Sequence, residues 1–180
     1  MSKGVGVRVS PGAPLRRPMK EKLLNAYMKT AETFADLSHA RRLHVGAIVV
    51  KDDRIISIGY NGMPSGWDND CENTVFVLDE EVMGTDMISL GYTQTDNGNW
   101  TKLKSKPEVL HAETNAIAKL AKSTESGDGA VLFVTHSPCL DCAKLIFQSG
   151  IRGVFYRNSY RSTDGITFLE RSGVEVTQIK

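Results

Sequence analysis

Two short segments of the sequence combine residues that bind zinc with a carboxylate that could move protons. A His-x-Glu pair, His111 and Glu113, is followed downstream by a Pro-Cys-x-x-Cys motif over residues 138–142. One imidazole and two thiolates fill three of the four tetrahedral positions of zinc, and a catalytic site leaves the fourth for water. Zinc lowers the pKa of bound water to about 7. The pattern therefore predicts a catalytic zinc held by His111, Cys139 and Cys142, with Glu113 as proton carrier.

Simpler interpretations account for each segment taken alone. A single Cys-x-x-Cys motif also occurs as a redox pair or as two buried thiols. A carboxylate near a helix start is common, because the helix dipole favours acids there. A structural zinc would require a fourth protein ligand. His-x-Glu followed by Pro138 and the two cysteines, in this order, is instead typical of zinc-dependent nucleobase deaminases.

Composition predicts one domain with an ordinary core. The chain has 180 residues, of which 41% are hydrophobic and 24% charged. No apolar run approaches the ~18 residues that indicate a membrane span, and no secretory segment is recognisable. Three cysteines, two of them assigned to zinc, do not make a disulfide framework. We therefore expect a reducing, cytoplasmic location and no membrane partner.

The charge is distributed unevenly along the chain. Residues 1–18 contain four basic and no acidic side chains, three prolines and three glycines, which predicts a disordered leader or extension with Met19 as a candidate native start. The remaining 162 residues carry 18 basic and 21 acidic side chains. A slightly acidic protein is poorly suited to follow a phosphate backbone. A small-molecule substrate is therefore favoured over nucleic acid.

Hydrophobic periodicity predicts an α/β domain over residues 19–180. Apolar residues at helical spacing, from Leu23 to Leu37, predict a helix over 20–38, and a hairpin follows with strands at 45–50 and 54–60. Residues 62–109 read as a long functional insertion of irregular structure, with a short helix near 77–83. Helices at 110–122, 139–149 and 164–172 then alternate with strands at 130–135, 152–157 and 174–179. This order predicts a mixed sheet with helices on both faces.

From about residue 19 to 180 the chain resembles the deoxycytidylate (dCMP) deaminases of phages, bacteria and animals. The resemblance implies a cytidine deaminase-like, three-layer α/β/α fold with a five-stranded mixed sheet. It also implies hydrolysis of dCMP to dUMP and ammonia, which supplies dUMP for dTTP synthesis. A homohexamer, activation by dCTP with Mg²⁺ and inhibition by dTTP are further implications. The segments that carry it are Val45-Gly46-Ala47, Gly59-Tyr60-Asn61-Gly62-Met63-Pro64, His111-Ala112-Glu113-Thr114-Asn115-Ala116-Ile117 and Ser137-Pro138-Cys139-Leu140-Asp141-Cys142-Ala143-Lys144.

The same resemblance implies substrate contacts. It places the Asn61 side chain on the deoxyribose, the Ala112 backbone against the pyrimidine carbonyl, and Tyr160 over the base or near the phosphate. Asn61 is also an ordinary turn residue before glycine, and Tyr160 could be a half-buried core tyrosine. For the 5′-phosphate, loops after the strands offer Ser137, Arg157, Arg161 and Ser162.

Residues just before the first strand suggest two further binding sites. Arg41, Arg42 and His44 form a cationic cluster that could bind an effector triphosphate, although arginines here could equally complement a helix dipole. Some phage relatives carry a second, structural zinc whose cysteine near the end of the first helix is missing in this chain. Cys71 with His39 and His44 would have to replace that site, and a free thiol at Cys71 is favoured.

Other functions remain open at this stage. Within the superfamily they are a tRNA adenosine deaminase and a free cytidine or riboflavin-pathway deaminase. The acidic balance disfavours the first, and the insertion with the Gly-Tyr-Asn-Gly segment disfavours the others. Outside enzymes, a zinc-stabilised nucleotide sensor would keep the metal ligands without needing Glu113.

Overall fold

The computed structural model describes residues 19–77 and 87–180. The expected leader over 1–18, and all but Val77 of the short helix expected near 77–83, lie outside the described residues. In chain order the elements are α1 (Glu21–Ala35), β1 (Gly46–Lys51), β2 (Arg54–Tyr60), β3 (Glu72–Phe76), β4 (Thr93–Gln94), β5 (Trp100–Ser105), α2 (Ala112–Leu120), β6 (Val131–His136), α3 (Leu140–Gln148), β7 (Gly153–Asn158), α4 (Asp164–Arg171) and β8 (Glu175–Gln178).

The main sheet has five strands in the order β2-β1-β6-β7-β8. β1 is antiparallel to both β2 and β6, whereas β6, β7 and β8 are parallel to one another. Parallel neighbours need crossover connections, and α3 and α4 supply them. The predicted mixed sheet is confirmed.

Helices cover both faces of this sheet. Ile48 of β1 and Phe133 of β6 pack with Met28 of α1 in one hydrophobic cluster. Their neighbours in the strands point the opposite way, so Val49 and Leu132 lie in a second cluster with residues of α2, α3 and α4. Burial on both faces explains why β1 and β6 are apolar throughout rather than alternating. The predicted three-layer α/β/α architecture is confirmed.

The β1–β2 hairpin turns through two residues with positive φ, Asp52 at 49° and Asp53 at 59°. Positive φ at both central positions is the conformation of a type I′ hairpin turn, whose twist matches the flanking strands. The predicted first helix is too long at its C-terminal end, because α1 stops at Ala35 and Leu37 is half exposed. Beyond α1 the hydroxyl of Ser38 donates to the carbonyl of Asn61 instead.

The prediction of irregular structure over residues 62–109 is wrong for part of that segment. The strands β3, β4 and β5 form a separate antiparallel sheet in the order β3-β5-β4, with Thr74 opposite Leu103. Most side chains of β3 are exposed or half-buried, so its sequence lacks the alternation that would reveal a strand. Of the helices in the described ranges, not one has both the length and the apolar content to span a bilayer.

Candidate active site

Short segments at the starts of α2 and α3 carry the predicted zinc ligands. His111 directly precedes α2, Cys139 directly precedes α3, and Cys142 lies in the first turn of α3. Backbone hydrogen bonds in both directions join Leu110 to Gly62, so the residue before His111 is tied to the chain beyond β2. The two helix starts therefore meet at one edge of the main sheet.

α2 is fastened closely to β2. The Ser57 hydroxyl donates to the carbonyl of Ala116 at 2.7 Å, and the Asn115 amide donates to the carbonyl of Tyr60 at 2.9 Å. Gly59 permits this contact, because a Cβ there would lie 2.1 Å from the carbonyl oxygen of Ala112. The position of the helix that starts beside His111 is thus fixed by β2.

The three predicted ligands come together with zinc-like spacing. The Nδ1 atom of His111 lies 3.3 Å from Sγ of Cys142 and 3.6 Å from Sγ of Cys139. All three atoms lie within 4.8 Å of one another. Zn–N and Zn–S bonds of about 2.0 and 2.3 Å at a tetrahedral angle would separate nitrogen and sulfur by about 3.5 Å. The donor set and its spacing therefore fit zinc.

The hydrogen bond between the two thiols shifts their pKa values in opposite directions. The pKa of Cys139 is lowered to about 4, because Cys142 and then His111 hydrogen-bond to its sulfur. The pKa of Cys142 is raised by the same contact with Cys139 and by burial. The hydroxyl of Thr114 lies 3.7 Å from the Cys142 sulfur. Zinc binds thiolates, so it would displace the remaining proton.

Glu113 lies in the first turn of α2 and is only 4% exposed. Burial is the main cause that raises the pKa of its carboxyl above the ordinary value. A carboxyl whose pKa is raised accepts and returns a proton more readily near neutral pH than an exposed one. Because it lies in the same cavity wall as His111, it can serve chemistry next to the metal.

A cavity of about 510 Å³ opens onto these residues. Its walls come from the segment before β1, the end of β2, the segment from β5 to α2, and the loops that follow β6 and β7. The predicted substrate residues that line it are Asn61, Ala112, Ser137, Tyr160 and Arg161.

Asn61 shapes the cavity wall as well as lining it. Its side-chain oxygen accepts a hydrogen bond from the backbone N–H of Val45 at 2.8 Å, and its side-chain nitrogen donates to the carbonyl of Leu43 at 2.8 Å. Each end of the amide keeps one further hydrogen-bonding position. Ala112 is fully buried, and its N–H belongs to the first turn of α2, where no intrahelical acceptor exists.

The other predicted contacts come from the loops that follow β6 and β7. The buried hydroxyl of Ser137 accepts a hydrogen bond from the backbone N–H of Tyr160 at 2.7 Å. The guanidinium of Arg161 lies 5.4 Å from the centre of the Tyr160 ring. Ser137 thus holds the backbone of Tyr160, and Tyr160 and Arg161 face the cavity together.

Two of the four phosphate candidates lie elsewhere. Arg157 donates to the carboxylate of Glu32 at 2.9 Å and to the carbonyl of Lys180, on the sheet face that α1 covers. It shares that face with Phe155 because side chains alternate along β7. The Ser162 hydroxyl bonds to the backbone and carboxylate of Asp164 at the start of α4. The expectation that these two converge on the zinc is wrong.

The cationic cluster before β1 is split. Arg42 lines the cavity, whereas Arg41 and His44 do not. Arg41 forms ion pairs with Asp70 and Glu72. Arg42 therefore faces the same cavity as Glu113, which the sequence does not predict.

Further cavity residues were missed by the sequence interpretation. His136 ends β6, and burial lowers the pKa of its imidazole, which favours the neutral ring. The sequence could have indicated this position, because His136 ends a predicted strand and its side chain points to the face opposite that of Thr135. The insertion contributes Glu72, Ser105 and Lys106. These carried no signal, because the strands that position them were not recognised.

The described ranges contain one cluster of three or more potential metal ligands, namely His111, Cys139 and Cys142. Cys71 is a buried free cysteine whose thiol lies 3.5 Å from the carbonyl of Asn69. Neither His39 nor His44 joins it in such a cluster. The second zinc considered from the sequence therefore finds no support in this part of the chain.

Comparison with known proteins gives consistent results. Residues 21–158 match the family model of the cytidine and deoxycytidylate deaminase zinc-binding region. The chain is 32% identical over 155 residues to ComE operon protein 2 of Bacillus subtilis, a match that covers 86% of this chain and 69% of the relative. The chain is also 36% identical over 157 residues to deoxycytidylate deaminase of enterobacteria phage T4. This match covers 75% of this chain and 78% of the relative.

Among solved structures, the chain resembles the dCMP deaminase of cyanophage S-TIM5 crystallised with dCMP and dUMP. The TM-score is 0.71 at 45% sequence identity, and the match covers 89% of this chain and 99% of the other.

Proposed function

Because this chain belongs to the cytidine and deoxycytidylate deaminase family of zinc-binding enzymes, we propose that it hydrolyses dCMP to dUMP and ammonia. The observation that carries the proposal is the buried Glu113 beside His111, Cys139 and Cys142 in the wall of one cavity. A nucleotide-sized cavity with a metal-binding cluster and a proton carrier is what the hydrolysis requires.

The chemistry divides between the ligand cluster and Glu113. His111, Cys139 and Cys142 would hold Zn²⁺, which as a Lewis acid makes water a nucleophile near neutral pH. Glu113 takes the proton from the attacking water as its oxygen bonds to C4 of the cytosine. It delivers this proton to the ring nitrogen. It then takes the second proton, that of the new C4 hydroxyl, and passes it to the amino group, so that the C4 carbonyl forms, the C4–N bond breaks and ammonia leaves.

Residues around Glu113 orient the nucleotide. The backbone N–H of Ala112 is a free first-turn donor for the pyrimidine carbonyl, and the remaining amide positions of Asn61 suit a deoxyribose hydroxyl. In the same cavity Tyr160, whose backbone is held by Ser137, can cover the base, and Arg161 adds a positive charge. These assignments follow the family resemblance, and the shared cavity supports them.

The substrate proposal also draws on the relatives. Proteins named deoxycytidylate deaminase match most of this chain, and the cyanophage structure contains dCMP and dUMP. A polynucleotide substrate such as tRNA is less well supported, because residues 19–180 carry more acidic than basic side chains. A nucleoside-specific enzyme would have no use for a cationic cavity wall.

The proposal extends to regulation and assembly. The resemblance supports activation by dCTP with Mg²⁺, inhibition by dTTP, a homohexamer, and a cytoplasmic role in supplying dUMP for dTTP synthesis. Within the chain, residues 19–180 would form the deaminase domain, with 62–109 as its functional insertion. Contacts of Arg41 and Arg42 with Glu72 and Ser105 support treating the insertion as part of that domain.

The test is the loss of cytosine absorbance with dCMP, CMP and deoxycytidine, each with and without magnesium and dCTP. We expect turnover of dCMP above the other two, and a higher rate at low dCMP when dCTP is present. Turnover without a dCTP effect would remove the proposed regulation only. If zinc-loaded protein turns over none of the three compounds, the substrate assignment fails. Light scattering tests the hexamer separately, and a monomer would contradict it.

A further inference from the structure

Apart from Arg161, a part of the cavity wall carries the cationic side chains of Arg42 and Lys106 together with the carboxylate of Glu72. It is formed by the segment before β1 together with residues at and after the end of β5, and its members include Arg42, Ser105 and Lys106. The Asn61 amide bonds to the backbone of Leu43, the residue directly after Arg42, and to that of Val45. The sugar position proposed at Asn61 is thus joined to the segment that carries Arg42.

Arg42 differs from the cations around it in its partners. Lys106 pairs with Asp70 at 2.9 Å, and Arg41 pairs with Asp70 and with Glu72. The Arg42 guanidinium donates to the Ser105 hydroxyl at 3.2 Å. Across residues 19–77 and 87–180, no carboxylate lies within ion-pair distance of it. A guanidinium with one neutral partner keeps most of its five donors for an anion in the cavity.

A buried carboxylate fixes the backbone that carries this side chain. Glu72, the first residue of β3, is 2% exposed. Its two carboxylate oxygens accept hydrogen bonds from the backbone N–H groups of Arg41, at 3.1 Å, and Arg42, at 3.3 Å. A buried charge is tolerated only when it is compensated in this way. The insertion therefore supplies both the acid that holds the Arg42 backbone and the hydroxyl that orients its guanidinium.

We propose that Arg42 binds the 5′-phosphate of the pyrimidine nucleotide and that Glu72 is the positioning residue that aims it. This inference rests on the proposed function and deepens it. With the base at Glu113 and the sugar at Asn61, the phosphate lies on the sugar side of the cavity, where the Asn61 amide donates to the carbonyl of Leu43, the residue directly after Arg42. The same guanidinium could also bind the triphosphate of an effector. Substrate and effector binding are distinguished by measuring dCMP turnover and dUMP binding in the absence of effector.

The test compares Arg42→Gln with Arg42→Lys in zinc-loaded protein without dCTP or dTTP. We expect Arg42→Gln to raise the KM for dCMP and the dissociation constant of dUMP together by roughly 10- to 100-fold, the value of a charged hydrogen bond. The kcat should change little, because the phosphate is remote from C4. Arg42→Lys should restore part of the affinity, since it keeps the charge but not the planar fork.

Arg54→Gln is the matched control, because Arg54 is exposed and pairs with Glu125 away from the cavity. Glu72→Gln should raise the same two constants with kcat retained, since an amide cannot accept both backbone N–H groups through two oxygens. Unchanged dUMP binding in Arg42→Gln, or a lower kcat with unchanged KM, would overturn the proposal. So would a change confined to the dCTP response, which would assign Arg42 to the effector.

The two proposals fail in different ways. If wild-type protein does not turn over dCMP, the proposed function is wrong whatever Arg42 does. If wild type turns over dCMP while Arg42→Gln behaves like Arg54→Gln, only the phosphate assignment is wrong. Arg161 is the other arginine that lines the cavity, and Arg161→Gln therefore tests it as the competing phosphate ligand. If the dUMP dissociation constant rises more in Arg161→Gln than in Arg42→Gln, the assignment is also overturned.

Discussion

At the scale of single residues, the site separates metal binding from proton transfer. His111 and the two cysteines gather their donor atoms at one point, whereas Glu113 is not among the clustered ligands. Its carboxyl is buried and its pKa is raised, mainly by that burial. Glu113 is therefore the side chain on which the chemical step should depend most.

Replacing Glu113 with glutamine should leave the site assembled and remove the reaction. Glutamine has nearly the same volume and cannot carry the proton, so we expect kcat to fall by roughly 10²- to 10⁴-fold. Zinc content and dUMP affinity should stay close to wild type, because neither the ligands nor the cavity walls change. Absorbance kinetics, elemental analysis and calorimetry measure the three quantities. Activity within tenfold of wild type would show that Glu113 is only a helix-start acid.

The zinc ligands could be predicted from the sequence because their chemistry is local. Each motif spans only a few residues, and each lies at the start of a helix that the periodicity reveals. The wall around Arg42 could not be predicted in this way. Its contacts with Glu72 and Ser105 join residues 30 and 63 positions apart, through strands without an apolar alternation. Arg157 was misplaced because its partner, Glu32, is 125 positions away.

At the scale of secondary-structure elements, two glycines let helices approach the sheet from opposite faces. A Cβ at Gly46 would lie 2.0 Å from the carbonyl oxygen of Ala31 in α1, and one at Gly59 would lie 2.1 Å from that of Ala112 in α2. Both clashes are with backbone atoms, which cannot rotate away. The two positions are therefore sterically equivalent, but only α2 carries catalytic residues.

Gly46→Ala and Gly59→Ala should consequently have similar effects on stability and different effects on activity. Overpacking costs about 1–3 kcal/mol, or more where backbone must move, so both variants should unfold at lower temperature. Gly59→Ala should also lower kcat at temperatures where it is folded, because displacing α2 moves Glu113 relative to the ligands of α3. Thermal unfolding and kinetics on the same preparations check this. Equal loss of kcat in both variants would contradict it.

A substitution in the hairpin between β1 and β2 should instead raise the stability of the protein. Asp53 occupies a left-handed conformation, with φ of 59°, that L-residues adopt at a cost and glycine adopts freely. Asp53→Gly creates the Asp-Gly pair preferred in type I′ turns. We expect a gain of roughly 0.5–1 kcal/mol, and hence a rise in Tm of a few degrees. Asp53→Val should lower Tm, and a rise in that variant would disprove the turn assignment.

At the scale of the whole molecule, the metal site joins parts that are distant in the chain. His111 lies 28 residues before Cys139 and 31 before Cys142, so a bound ion would link the start of α2 to the start of α3. The main sheet does not depend on that link, because residues from α1 and from α2 to α4 bury both of its faces. Metal removal should therefore reduce the order of the site without unfolding the domain.

Stripping zinc with a chelator should lower Tm by roughly 5–15 °C, the effect of losing a ligand bound at 100 to 1,000 times its dissociation constant. Far-ultraviolet circular dichroism should persist, and adding zinc should restore Tm and activity. Cys142→Ser should show the lower Tm from the outset and no response to chelator. Cys71→Ala is the matched control, since it removes a buried thiol outside the cluster and should retain one zinc per chain. Two zinc ions per wild-type chain, falling to one in Cys71→Ala, would instead establish a second metal site at Cys71.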